Sequence, residues 1–143
     1  MRFLPASDRA VLVELDDLPQ ALALYRQLLQ SPIAGVRELV PAARTVLVGY
    51  QPGLLHAAAG EAAVRQRWAL AASSTAAPAQ APRTVEIPVD YSGPDLPDVA
   101  ELLGISVAQV IERHTGQPWQ AAFAGFAPGF VYLSGGHPCF DLP

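Results

Sequence analysis

Apolar and polar positions alternate at the start of the chain. Phe3-Leu4, a turn around Ser7-Asp8, and then Val11 and Val13 alternating with Leu12 and Glu14 predict a short strand that is part of a hairpin or of a split strand. The period then changes. Leu18, Leu22, Tyr25 and Leu29 recur at spacings of four, three and four, the signature of one helical face, with Asp17 as the cap and Pro19 in the first turn. Ser31-Pro32 ends this helix, because proline removes a donor and turns the residue before it away from helical geometry. Val36 to Val40 and Thr45 to Tyr50 read as two strands joined by the short Pro41–Arg44 connection. A second helix follows from about Leu54 to Ala72, with Ala57, Gly60, Val64, Trp68 and Ala71 on its inner face.

Strand, helix, two strands and helix make a ferredoxin-like α+β sandwich that wants one final strand. Val85 to Val89 either supplies it or begins the next domain. The Ser/Thr/Ala/Pro/Gln tract from Ala71 to Pro82 has no periodicity and no large apolar side chain, so it reads as a linker. The expected division is a first domain over 1–72, a linker over 73–82 and a second domain over 83–143.

In the second half, Pro94-Asp-Leu-Pro97 opens a short helix with Asp95 as its cap. Val99, Leu102 and Leu103 form its apolar face, and Gly104 stops it. Ser106 and Gln109 form a capping box for the next helix, and Ile105 with Val110 a hydrophobic staple. The spacing of Ala100, Gly104 and Val110 fits a helix-turn-helix, but Asp95, Asp98, Glu101 and Glu112 surround Arg113 and His114. Such an acidic pair of helices repels phosphate, which excludes the DNA-reading interpretation. His114, at the end of the second helix, either complements the helix dipole or faces the segment that follows.

That segment, Gln120 to His137, carries Phe123, Phe126, Phe130 and Tyr132 among Gly125, Gly129, Gly135 and Gly136. Pro128-Gly129 suits the central positions of a type II turn, with proline presetting the first φ and glycine taking the positive second one. The residues admit two readings: a strand, a turn and a strand whose aromatics fill a core, or a loop whose bare backbone meets a ligand.

Composition narrows the chemistry. Of 143 residues 51% are hydrophobic, enough for a core, while 15% are charged and the net charge is −4, which leaves no footprint for nucleic acid. All nine basic residues are arginine, so there is no phosphate-loop lysine and no Schiff-base lysine. No run reaches the ~18 apolar residues of a membrane helix, and Asp8, Arg9 and Glu14 break any signal-peptide core, which points to the cytoplasm. Cys139 is the single cysteine; with His137 it makes two metal ligands, too few for a structural zinc site, and His56 has no partner at ligand spacing. No metal site is expected, and no catalytic residue is identifiable.

Gly125-Phe-Ala-Pro-Gly-Phe130, followed by Tyr132-Leu133 and a Gly-Gly pair, resembles the G-F-x-P-G-F-x-Y-L segment of the small subunit of bacterial 5-oxoprolinase, a group also known as allophanate hydrolase subunit 1 or the kinase-inhibitor KipI family. Asp8-Arg9-Ala10, Pro32 to Ala42 and Val85 to Tyr91 resemble further segments of that family in the same order. Val131 departs from it, standing where proline is usual, and the family continues beyond Asp141-Leu-Pro143, so the resemblance implies a chain shortened at its carboxy-terminal side.

The resemblance implies a ferredoxin-like domain followed by the first part of a cyclophilin-like β-barrel. It also implies a role beside companion oxoprolinase subunits in opening 5-oxo-L-proline to L-glutamate with ATP, whose site would lie in another chain or segment. Gly125, Phe126, Pro128, Gly129, Phe130 and Tyr132, with His114, are then the candidates for a substrate cleft or a subunit interface. Two other roles travel with the family: inhibition of a sensor histidine kinase, and allophanate or urea amide hydrolysis.

Overall fold

The computed structural model describes residues 1–73 and 83–141, and the chain divides into two units, Met1–Ala79 and Gln80–Pro143. Most of the expected linker, 74–82, lies outside the described residues.

The first unit is built on a four-stranded antiparallel sheet of β1 (Arg2–Ser7), β2 (Ala10–Glu14), β3 (Val36–Pro41) and β4 (Thr45–Tyr50), in the order β1-β2-β4-β3. Two helices, α1 (Leu18–Gln30) and α2 (Ala57–Ser73), pack against each other, and α1 also meets β3 and β4. The core is continuous. Val11, Val13 and Leu15 from the β2 side meet Val46 and Val48 of β4, Ala21, Leu24 and Leu28 of α1, and Val64 of α2. Strand periodicity accounts for the sheet's share, since alternate residues of β2 and β4 point to one face.

Of the two places the sequence left open for Val85 to Val89, the final strand of this sheet is not the one taken. The edge beside β2 is taken by the amino-terminal strand β1, which pairs Phe3 with Val13 and sets Arg2 against Glu14 in an ion pair. Val85 to Val89 forms neither helix nor strand, and its apolar side chains are exposed, Ile87 at 76%. A hairpin arm two residues from β2 closes a far shorter loop than a strand 70 residues downstream, so local pairing is entropically favoured.

The α1 boundaries and cap agree with the sequence: Asp17 accepts a 2.8 Å hydrogen bond from the Gln20 backbone N–H. Its face does not. The buried stripe is Ala21, Leu24 and Leu28, whereas Leu29 is 54% exposed and Leu22 and Tyr25 are half-buried. Leucines sit on both candidate faces, and the small Ala21 marks the side on which neighbouring elements can come close. In α2 the expected Gly60 and Val64 are buried, Trp68 and Ala71 half-buried, and Ala57 exposed.

The second unit contains α3 (Leu96–Leu103), α4 (Val107–Thr115) and a two-stranded antiparallel hairpin of β5 (Trp119–Ala124) and β6 (Val131–Gly135), then a 3₁₀ turn at Pro138–Phe140. Gly104 ends α3 in the left-handed region at φ +64°, and Ser106 and Gln109 form the capping box of α4. Asp95, in contrast, makes no side-chain cap bond; its backbone is already helical, whereas a capping side chain needs the extended conformation that Ser106 adopts. The buried member of α3 is Ala100 rather than the expected apolar trio, with Leu102 exposed and Val99 and Leu103 half-buried. Among the described residues of this unit, Ala100 and Val110 are the buried apolar ones.

Candidate functional site

The β5–β6 hairpin organises the aromatic segment. Ala121 faces Leu133, but a bulge then shifts the register so that Phe123 faces Tyr132 and Ala124 faces Val131. Residues directly opposite each other share a sheet face. The bulge therefore makes the Phe123–Tyr132 pair, stacked at 4.5 Å between ring centroids. Phe130 meets Tyr132 edge-on at 5.2 Å and Phe126 meets Phe130 at 5.4 Å, giving a ladder of four rings from the strands to the tip.

Two turns in series build that tip. From Ala127 to Phe130, the Phe130 N–H donates to the Ala127 carbonyl at 3.0 Å with Gly129 at φ +79°, the type II geometry expected for Pro128-Gly129. Just before it, the Ala127 N–H donates to the Gly125 carbonyl at 2.9 Å around Phe126, whose φ is +68°. A bond closing over three residues with a positive central φ is a γ-turn of the strained kind. Phe126 is the one non-glycine residue with positive φ among the described residues, and it is 90% exposed.

His114 belongs to a different group. Its Nδ1 and the Tyr91 hydroxyl share a 2.6 Å hydrogen bond, and its ring lies 5.1 Å from Trp119 and 5.9 Å edge-on from Phe140. The Trp119 indole N–H donates to the His114 carbonyl at 2.9 Å, tying the end of α4 to the start of β5. Gly136, at φ +79°, lies against the Trp119 ring so closely that a Cβ there would fall 2.4 Å from it. Thus the hairpin residues Gly125, Phe126, Pro128, Gly129, Phe130 and Tyr132 come together, while His114 sits in an aromatic box at the hairpin's base. Tyr91, Trp119 and Phe140 complete that box; lying 23, 5 and 26 positions from His114, they left no local pattern to read.

His137 turns inward to local structure, its Nδ1 accepting the Cys139 backbone N–H at 3.1 Å. No group of three or more His, Cys, Asp or Glu among the described residues is placed to hold a metal ion. No helix among them is long and apolar enough to cross a membrane. The first unit has an apolar groove of about 250 Å³ lined by Leu28, Leu29, Pro32, Ile33, Val36 and Leu39, with Arg37 and Glu38 at its side. Chemically, residues 119–136 offer rings, backbone, one phenol, the Gln120 amide and the Ser134 hydroxyl but no charge. They can clasp an apolar surface; they supply no acid–base pair.

A two-unit α+β chain with antiparallel sheets and an aromatic β-hairpin is the class these features define. The chain belongs to the family described as carboxyltransferase domain, subdomain C and D, which matches residues 1–143. It is 46% identical over 56 residues to the B-type subunit of 5-oxoprolinase from Bacillus subtilis (strain 168), covering 37% of this chain and 23% of that protein. With the B-type subunit of 5-oxoprolinase from Escherichia coli O157:H7 it shares 48% over 54 residues, 36% of this chain and 25% of that protein. The chain therefore spans about a quarter of the length of these curated relatives. Among solved structures, the crystal structure of TTHA0988 matches with a TM-score of 0.67 at 30% identity, over 94% of this chain and 26% of that one.

No ATP site is shown among the described residues. The chain has no lysine, α1 and α3 carry Asp17, Asp95 and Asp98 at their amino-terminal ends, and the Ser106–Gln109 box takes up the Ser106 and Gln109 N–H groups at the start of α4. Aspartates at these ends repel the phosphates that a bare helix terminus attracts.

Proposed function

We propose that this chain acts within the B-type subunit of an ATP-dependent 5-oxoprolinase, in which companion subunits join it to hydrolyse the lactam of 5-oxo-L-proline to L-glutamate. The net change is addition of water across the ring C–N bond: the carbonyl carbon gains a hydroxyl and the nitrogen a hydrogen. The support is the family match along the chain together with two relatives that are both named as the B-type subunit of 5-oxoprolinase.

The single observation that carries the site assignment is the tip of the hairpin. Gly125, Phe126, Pro128, Gly129, Phe130 and Tyr132 form one continuous structure of two turns and a ring ladder, so the resembling segment is a built surface. His114, held by Tyr91 and Trp119, supports the hairpin from its base. ATP is assigned to groups outside these residues, and so is the acid–base chemistry. We read the first unit as ferredoxin-like, with β1 in the place of the last strand, and the second as the opening part of a cyclophilin-like barrel.

The test is turnover. With companion oxoprolinase subunits present, 5-oxo-L-proline should yield glutamate, and Phe130→Ala should lower kcat/KM by tenfold or more, because removing a ring from the ladder also frees Phe126 and Tyr132 (~1.4 kcal/mol per factor of ten). No turnover, with tight binding to a sensor histidine kinase instead, would place the chain in the inhibitor class.

A further inference from the structure

The His114 ring is pinned at one nitrogen and open at the other. The Tyr91 hydroxyl meets Nδ1 at 2.6 Å, the Trp119 and Phe140 rings lie 5.1 and 5.9 Å from the imidazole, and the Trp119 indole N–H holds the His114 carbonyl. Nε2 has no hydrogen-bond partner among the described residues, none of which carries a buried, unpartnered side-chain nitrogen or oxygen. In the half-buried His114, Nε2 therefore reaches solvent. A phenylalanine would serve the ring contacts equally well; what histidine adds is the pair of nitrogens, one used for orientation and one left free.

Tyr91 also decides what the free nitrogen can do. A phenol is the stronger donor and an unprotonated ring nitrogen the stronger acceptor, so in neutral His114 the Tyr91 hydroxyl donates to Nδ1 and the ring hydrogen sits on Nε2. In the imidazolium both nitrogens carry hydrogen, and Nδ1 donates to the Tyr91 oxygen instead. Nε2 is a donor in either state, and its ligand must offer an acceptor. Residues 119–136 hold no Arg, Lys or His, whereas His114, which touches the hairpin through Trp119, can bring a charge-assisted N–H to an anion. The lactam 5-oxo-L-proline presents such an anion as its carboxylate.

We infer that His114 Nε2 is the contact for a carboxylate oxygen of a small acidic ligand, and that Tyr91 is the positioning residue that keeps the donor hydrogen on it. The inference rests on the 5-oxoprolinase reading for the ligand's identity and deepens it: beyond supporting the hairpin, His114 binds 5-oxo-L-proline.

Two measurements test it, with folding of every variant checked by Tm. Imidazole nitrogen NMR of the full chain should show His114 with its hydrogen on Nε2, and Tyr91→Phe, which keeps the ring, should give a mixture of tautomers. In the complex with companion subunits, His114→Phe should raise KM for 5-oxo-L-proline about tenfold or more, the range of a hydrogen bond to a charged group. His114→Gln, whose amide N–H reaches the place of Nε2, should recover most of that loss, and kcat should change little in either variant, as for a lost ground-state contact. Hydrogen on Nδ1 in the unmutated chain, an unchanged KM in His114→Phe, or equal KM values for the Phe and Gln variants would overturn the inference and leave the reaction standing. An unchanged tautomer in Tyr91→Phe would remove the positioning role. If the unmutated complex releases no glutamate, the reaction reading falls, and titration of the complex decides the contact. A His114 Nε2 shift with 5-oxo-L-proline but not with 2-pyrrolidinone, which lacks the carboxylate, supports it; no shift, or the same shift with both, overturns it.

Discussion

Replacing Gly136 with alanine tests how the aromatic box holds the second unit together. Gly136 sits at φ +79°, where an alanine costs ~1–2 kcal/mol. Its new Cβ would lie 2.4 Å from Cη2 and 2.5 Å from Cζ2 of Trp119, well inside contact distance, so the indole must move. Displacing a packed ring costs a further ~1–3 kcal/mol, and here it also pulls on the Trp119 bond to the His114 carbonyl. The expected total is ~2–5 kcal/mol. Gly129→Ala is the matched control: its φ is also +79°, but no atom lies within 4 Å of the added Cβ, so only the ~1–2 kcal/mol backbone cost applies. Urea unfolding would be followed by Trp119 fluorescence in a Trp68→Phe background, which silences the tryptophan of the first unit. Gly136→Ala should lower the midpoint clearly more than Gly129→Ala. Equal shifts would refute the proposed contact between Gly136 and Trp119.

Two further substitutions probe the helices. Leu24→Ala, at a fully buried position, should destabilise the first unit by ~2–5 kcal/mol in chemical denaturation, while Leu29→Ala should stay within ~0.5 kcal/mol; the reverse order would restore the face read from the sequence. Ser106→Ala removes a complete capping box and should cost ~1 kcal/mol, whereas Asp95→Ala, which loses no cap bond, should cost less than half of that, as read from Tm shifts.

The sequence displayed what depends on neighbours along the chain. Asp17 before Leu18-Pro19, Ser106 three residues before Gln109, and Pro128-Gly129 are local chemistry, and each produced the cap or turn expected of it. Asp95 did not, because a suitable side chain caps only from an extended backbone. What depends on tertiary choice was less legible. Leucines on two faces of α1 left its rotation open until Ala21, Leu24 and Leu28 packed against the sheet. The strand beside β2 could come from either end of the domain, and the nearer one, β1, supplied it.

The site divides along the same line. The ring ladder is a consequence of a bulge that moves Phe123 opposite Tyr132, and a bulge leaves no trace in an Ala-Ala pair. The γ-turn at Phe126 was hidden for a related reason, since a bulky aromatic residue is not expected at positive φ. His114 was singled out for its position at a helix end, but its partner Tyr91 lies 23 residues away and became visible only in three dimensions.

The central claim is most directly tested by glutamate release from 5-oxo-L-proline in a mixture of this chain with its companion subunits, run with and without ATP and with the chain left out. Glutamate that forms only when both ATP and this chain are present is the expected result. Release that continues at the same rate without the chain, or no release from the complete mixture, would contradict it.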